Sequence, residues 1–128
     1  MNESPIKQAL SDLKLQVDNF YDSLNTLSED IHSIERQLQS KKLTIDFTFN
    51  LGESQALSWE YFERDDKFRF IFADYNVSIR VPAVESKLPI RLSIHKHLVP
   101  FLRALEKEII KHQEIIEQSI EYSVMREE

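Results

Sequence analysis

Residues 38–51 read LQSKKLTIDFTFNL, and the spacing of the apolar positions changes inside that run. Up to Leu38 they recur every three or four residues. From Leu43 they alternate, with Leu43, Ile45, Phe47, Phe49 and Leu51 separated by Thr44, Asp46, Thr48 and Asn50. The first spacing belongs to a helix with a narrow packed seam, the second to a strand buried on one face. Lys41 and Lys42 stand at the change, where the negative end of a helix dipole favours cations. A helix followed directly by a sheet implies an α+β fold.

Upstream, Ile6, Leu10, Leu13, Val17, Phe20, Leu24, Leu27, Ile31, Ile34 and Leu38 are separated by alternating steps of four and three residues. No glycine or proline interrupts them, and Ser4-Pro5 suits an N-cap with proline in the first turn. This predicts a helix over about 4–41. The flanks of the seam (Lys14, Gln16, Tyr21, Ser23, Ser28, Asp30, Glu35, Gln37) are mostly uncharged, unlike a parallel coiled coil with a charge-fixed register. The seam is therefore expected to pack in a bundle or on the chain's own second helix. Such a helix is roughly 54 Å long, whereas a compact domain of 128 residues is roughly 36 Å across. The overhang implies a second protomer. The expected oligomer seam runs through Leu10, Leu13, Val17, Phe20, Leu24, Leu27, Ile31, Ile34 and Leu38, and the expected assembly is a homodimer.

Downstream, alternation continues through Ala56–Arg64 and Lys67–Ala73 to a short strand at Val77–Val81, a four-stranded antiparallel meander over about 43–81. If Asp65-Asp66 is a two-residue turn, Tyr61 faces Phe70 and Trp59 faces Phe72. Nine of the thirteen aromatics fall between Phe47 and Tyr75, enough to make one face the core beneath the helices. A linker is expected over about 82–91 and a second long helix over about 92–126. Its stripe is Ile94, Leu98, Phe101, Leu105, Ile109, His112, Ile116 and Ile120, with a kink or a restart at Pro100. Both helices should pack on one face of the sheet and on each other, as one domain spanning 1–128.

The other sheet face is expected to be polar and solvated. Phe62 and Ile71 break its pattern, facing Arg69 and Glu60 in that register. Such an apolar spot among charges on an open sheet is either an ordinary exposed pair, with Arg69 lying over Phe62, or a docking site for a protein, with Phe62, Arg69, Ile71 and Glu60 as its residues.

Composition narrows the chemistry. A single glycine, Gly52, leaves no phosphate-cradling loop. No cysteine means no disulfide and no thiolate chemistry. The net charge of -6, with no basic block, argues against a nucleic-acid partner. Lys67–Phe72 alternates basic and aromatic residues but lacks the glycine of an RNA-stacking strand. The apolar runs are too short to cross a bilayer, and Met1–Leu10 lacks a signal-peptide pattern, so no membrane partner and a cytoplasmic location are expected. His95 and His97 fall on different sides of a helix and His112 on its seam, so no metal or cofactor is expected. Asp46 and Glu60 on an open face lack the burial a catalytic carboxylate pair needs. The expectation is a non-enzymatic protein–protein interaction module, an oligomeric adaptor or inhibitor, with a partner the sequence does not identify. The alternatives are an acidic decoy occupying a basic nucleic-acid-binding site of a partner, and a small-molecule binder with a pocket between sheet and helices.

Overall fold

A computed structural model describes residues 4–127. The elements are α1 (Pro5–Ser40), β1 (Phe47–Gly52), β2 (Gln55–Phe62), β3 (Lys67–Asp74), β4 (Ile79–Pro82), α2 (Leu88–Lys96) and α3 (Leu98–Glu127). The sheet is an antiparallel meander in the order β1-β2-β3-β4. The α+β class, the long first helix and the four strands follow the sequence expectation.

The start of α1 obeys local chemistry. The Ser4 hydroxyl accepts the Lys7 N–H at 3.1 Å, and Pro5 occupies the first turn. At its end, Lys42 takes a left-handed conformation (φ 56). That bend lets Lys42 N donate to Gln39 O and Leu43 N to Leu38 O, closing two carbonyls the helix leaves unpaired. Leu38 and Leu43 both pack against the core, so the same bend returns the chain to it.

One layer of side chains joins sheet and helices. Leu57, Trp59, Phe70 and Phe72 on the inner sheet face meet Ile31 of α1, Ile94 of α2, and Leu98, Phe101 and Leu105 of α3. Phe101 meets Phe47, Phe49 and Phe70 edge-on, with ring centroids 5.5, 6.1 and 5.2 Å away. This edge-to-face arrangement is favoured by the ring quadrupole. Trp59 is fully buried, and its indole N–H donates to Leu43 O at 3.0 Å.

Two local expectations are corrected, and one with two alternatives is decided. The β2–β3 connection is longer than a two-residue turn, because Glu63–Asp65 forms a 3-10 turn and Asp66 is left-handed (φ 51). The register therefore moves by two: Tyr61 faces Phe68, Trp59 faces Phe70, Glu60 faces Arg69, Ser58 faces Ile71, and Phe62 faces Lys67. A shift of two leaves every side chain on its expected face. Second, the expected linker holds a 3-10 turn (Ala83–Glu85) and the first four residues of α2, which starts at Leu88 with Pro89 in its first turn. Proline is compatible there, because that N–H has no helical acceptor. Third, of the kink or restart expected at Pro100, the second helix has the restart. Pro100 has no N–H to donate to Lys96 O, and its ring crowds that carbonyl. The chain steps out at His97 and restarts at Leu98.

Candidate interaction surface

The expected docking spot on the outer sheet face is closed. Ile71 is 0% exposed and Phe62 only 9%. The cover of Phe62 is the chain's own charged side chains. The Arg64 and Arg80 guanidinium carbons lie 5.0 and 5.2 Å from the Phe62 ring centroid, within cation–π range. Arg80 is bonded in turn to Glu60, whose carboxylate also accepts the Ser58 hydroxyl at 3.0 Å. Alternation assigned Phe62 and Ile71 to the outer face correctly, but Arg64 and Arg80 reach over Phe62, and Ile71 is buried between β2 and β4, opposite Ser58 and Pro82.

Arg69, the third residue of that spot, reaches from the outer face past the open edge of β3 to α1. Its Nη2 donates to Glu35 Oε1 at 3.1 Å, its Nε to Glu35 Oε2 at 3.3 Å, and its Nη1 to Asp65 Oδ2 at 2.7 Å. Glu85 accepts from Arg69 at 3.4 Å and from Arg64 at 2.6 Å, so five charged residues form one network. Burial opposes the Arg69 charge, but the bonds to Glu35 and Asp65 outweigh it and raise its pKa. Hydrogen bonds from Arg64 and then Arg69 hold the Asp65 carboxyl down to about 2.

Glu35 performs a second task that sequence reasoning missed. Its Oε2 accepts the Phe70 backbone N–H at 3.0 Å, and Gln39 Nε2 donates to Phe68 O at 2.9 Å. β4 pairs with β3 only from Ile71 onward, so the main chain of Phe68 and Phe70 faces an open edge. Two side chains one turn apart on α1 fill the place of the missing strand. Glu35 falls beside the seam rather than on it, the only hint of this role in the sequence.

Among the described residues no group of three or more His, Cys, Asp or Glu is placed to hold a metal ion. His95 Nε2 lies 2.7 Å from Asp30 Oδ2, tying α2 to α1 at an exposed position. His112 Nε2 pairs with Glu108 at 3.2 Å on exposed helix. Asp46 lies ahead of β1 and does not line the concavity of about 300 Å³ beside Glu60 on the outer face. No helix in the described residues is long and apolar enough to cross a membrane.

The expected oligomer seam divides in two. Leu27, Ile31, Ile34 and Leu38 pack against the core, and Leu24 is half-buried. Leu10, Leu13, Val17 and Phe20 remain 41–58% exposed. The second helix divides likewise: Leu98, Phe101 and Leu105 are buried, whereas Ile110, Ile115, Ile116, Ile120 and Val124 are 48–58% exposed. Two helical arms thus leave the core, and each carries the continuation of a core stripe into solvent. The residue identities were legible, but the point where burial stops was not, because the period is the same on both sides of it.

Compared with known proteins, the chain matches no family description, no curated protein and no solved structure.

Proposed function

We propose that this protein is a non-enzymatic interaction module that binds through its two helical arms to helices of a protein partner. The observation that carries this reading is the exposure of Leu10, Leu13, Val17 and Phe20 on α1, together with Ile116 and Ile120 on α3. Helices in proteins owe most of their stability to packing of the apolar face, and an apolar stripe left in water contributes none. A contiguous apolar patch is a recognised mark of a binding surface. The sheet and its ion network form a rigid base that sets the direction of both arms. The absence of a glycine-rich loop or any cysteine in the sequence agrees with a binding rather than a chemical role.

The test compares the wild type with a Leu13→Asp/Ile116→Asp variant. Neither residue belongs to the core cluster, so the sheet should form in both proteins. Native mass spectrometry of affinity-purified material from lysate should show the wild type in a complex, whether with itself or another chain, and the variant alone. Identical complexes for both proteins would refute an arm-based interface.

A further inference from the structure

We propose that the hollow between the end of α1 and the β2–β3 hairpin binds a small aromatic anion, a ring that carries a carboxylate or a phosphate. This site is separate from the arms. It stands between sheet and helix, where a small-molecule binder was expected to have its pocket.

The hollow measures about 360 Å³, within the range of small-molecule sites, roughly 300–1,000 Å³. Tyr61, Phe68 and Leu43 give it an apolar lining. Tyr61 and Phe68 are cross-strand partners, with ring centroids 6.2 Å apart. Tyr61 is 46% exposed, so its ring is open to a planar ligand.

Charge selects the ligand's sign. Lys42 and Lys67 line the same hollow, and both are exposed. Among the described residues no carboxylate lies within ion-pair distance of either ammonium group. Arg36, Arg64, Arg69, Arg80 and Arg103 are, by contrast, all paired. The one carboxylate of the lining, Asp66, accepts the Tyr61 hydroxyl. The carbonyls at the end of α1 that would repel an anion are also engaged. Gln39 O accepts from Lys42 N at 2.9 Å, and Leu38 O from Leu43 N at 3.3 Å. In a chain of net charge -6, two unpaired cations beside aromatic rings suit an aromatic anion.

Backbone conformation points to the same place. Four residues other than glycine have positive φ, and two of them, Lys42 (φ 56) and Asp66 (φ 51), line this hollow. Aspartate tolerates that conformation. Lysine has no such excuse, since glycine takes the first position past a helix without steric cost. A lysine held there gives up stability for its side chain, and residues of that kind concentrate at ligand sites.

The test is residue-resolved NMR of the nitrogen-labelled full chain, titrated with naphthoate, phenyl phosphate, naphthylmethanol and naphthylmethylamine. Both anions should move the amide signals of Lys42, Leu43, Asp66, Lys67 and Phe68. A Kd of about 1 mM or tighter is expected for ligands of about a dozen heavy atoms. The neutral and cationic analogues should bind at least about 10-fold more weakly. Lys42→Gly should hold or raise the melting temperature, because glycine suits that backbone, and yet weaken naphthoate binding roughly 10-fold. Lys67→Gln should weaken it to a similar extent. Absence of shifts at these amides with about 5 mM of either anion would overturn the site. So would equal binding of the neutral analogue, or unchanged affinity in Lys42→Gly. Shifts confined to the arms, at Leu10, Leu13, Ile116 and Ile120, would show the ring finding bare apolar surface and would overturn it too.

Discussion

Replacing Glu35 with alanine should be the most damaging change to a single polar side chain in α1. The Glu35 carboxylate receives two bonds from Arg69, at 3.1 and 3.3 Å, and the Phe70 N–H at 3.0 Å. Its side chain is 5% exposed and that of Arg69 is 11% exposed, so solvent replaces little of what is lost. Removing one member of a buried ion pair costs about 3–5 kcal/mol, chiefly through the charge left behind. Arg69 keeps Asp65 and Glu85, which places this part near the lower end. The Phe70 amide, left without an acceptor, adds about 1–3 kcal/mol. The expected loss is about 4 kcal/mol, a large fraction of the 5–15 kcal/mol that typically holds a domain together. Glu35→Gln keeps one carbonyl acceptor and should cost about half as much. Urea unfolding followed by the fluorescence of Trp59, the single tryptophan, would measure both, with m unchanged. A loss below about 1 kcal/mol for Glu35→Ala would mean that α1 is not held on the β3 edge by this carboxylate. A double-mutant cycle with Arg69→Ala should give a coupling above about 1 kcal/mol.

Trp59→Ala should cost about 3–5 kcal/mol in thermal or urea unfolding, since it empties the centre of the core and removes the bond to Leu43; near-wild-type stability would contradict the register. Ile71→Ala should cost about 2–5 kcal/mol despite lying on the outer sheet face, and a change under about 1 kcal/mol would show that face to be open. The depressed Asp65 carboxyl predicts a pH effect with a definite sign. A folded-state pKa of about 2 against an ordinary 3.8 stabilises the fold above pH 4, and this contribution is lost as the pH falls through about 2. The stability difference between wild type and Asp65→Asn should therefore be flat above about pH 5 and shrink below pH 4; a difference constant down to pH 2 would refute the assignment.

The parts of the fold that follow from one chain segment were legible in the sequence. The heptad run made α1, the Ser4-Pro5 pair made its start, and alternation put Leu57, Trp59, Phe70 and Phe72 inside. Three features resisted because they depend on where distant atoms end up. Asp66 adopts the left-handed conformation without being glycine, which aspartate tolerates, so the turn length could not be counted from residue types. Phe62 lies beneath Arg64 and Arg80, and Ile71 is buried between neighbouring strands, whereas alternation reports the face of a residue but not its cover. The expected exposure of Phe62 and Ile71 on the outer sheet face is corrected for that reason. The α1 arm lies within the seam already picked out as the oligomer interface, whereas the α3 arm lies on the second helix's stripe, which was assigned to packing; only the packed core shows that Leu27 is inside and Val17 outside.

The Phe70 amide has a further use that follows from its acceptor. In an ordinary sheet, a backbone proton is protected from exchange with deuterium by the neighbouring strand and is released when the sheet opens. Here the acceptor is a helix side chain, so the proton is released when α1 lifts, even while β2 and β3 stay paired. Exchange at Phe70 faster than at Arg69 or Ile71, whose amides point to β2, would give the free energy of detaching α1 separately from that of global unfolding. Slowing of that exchange on assembly would show that capture of an arm about 28 Å long tightens the joint at its base.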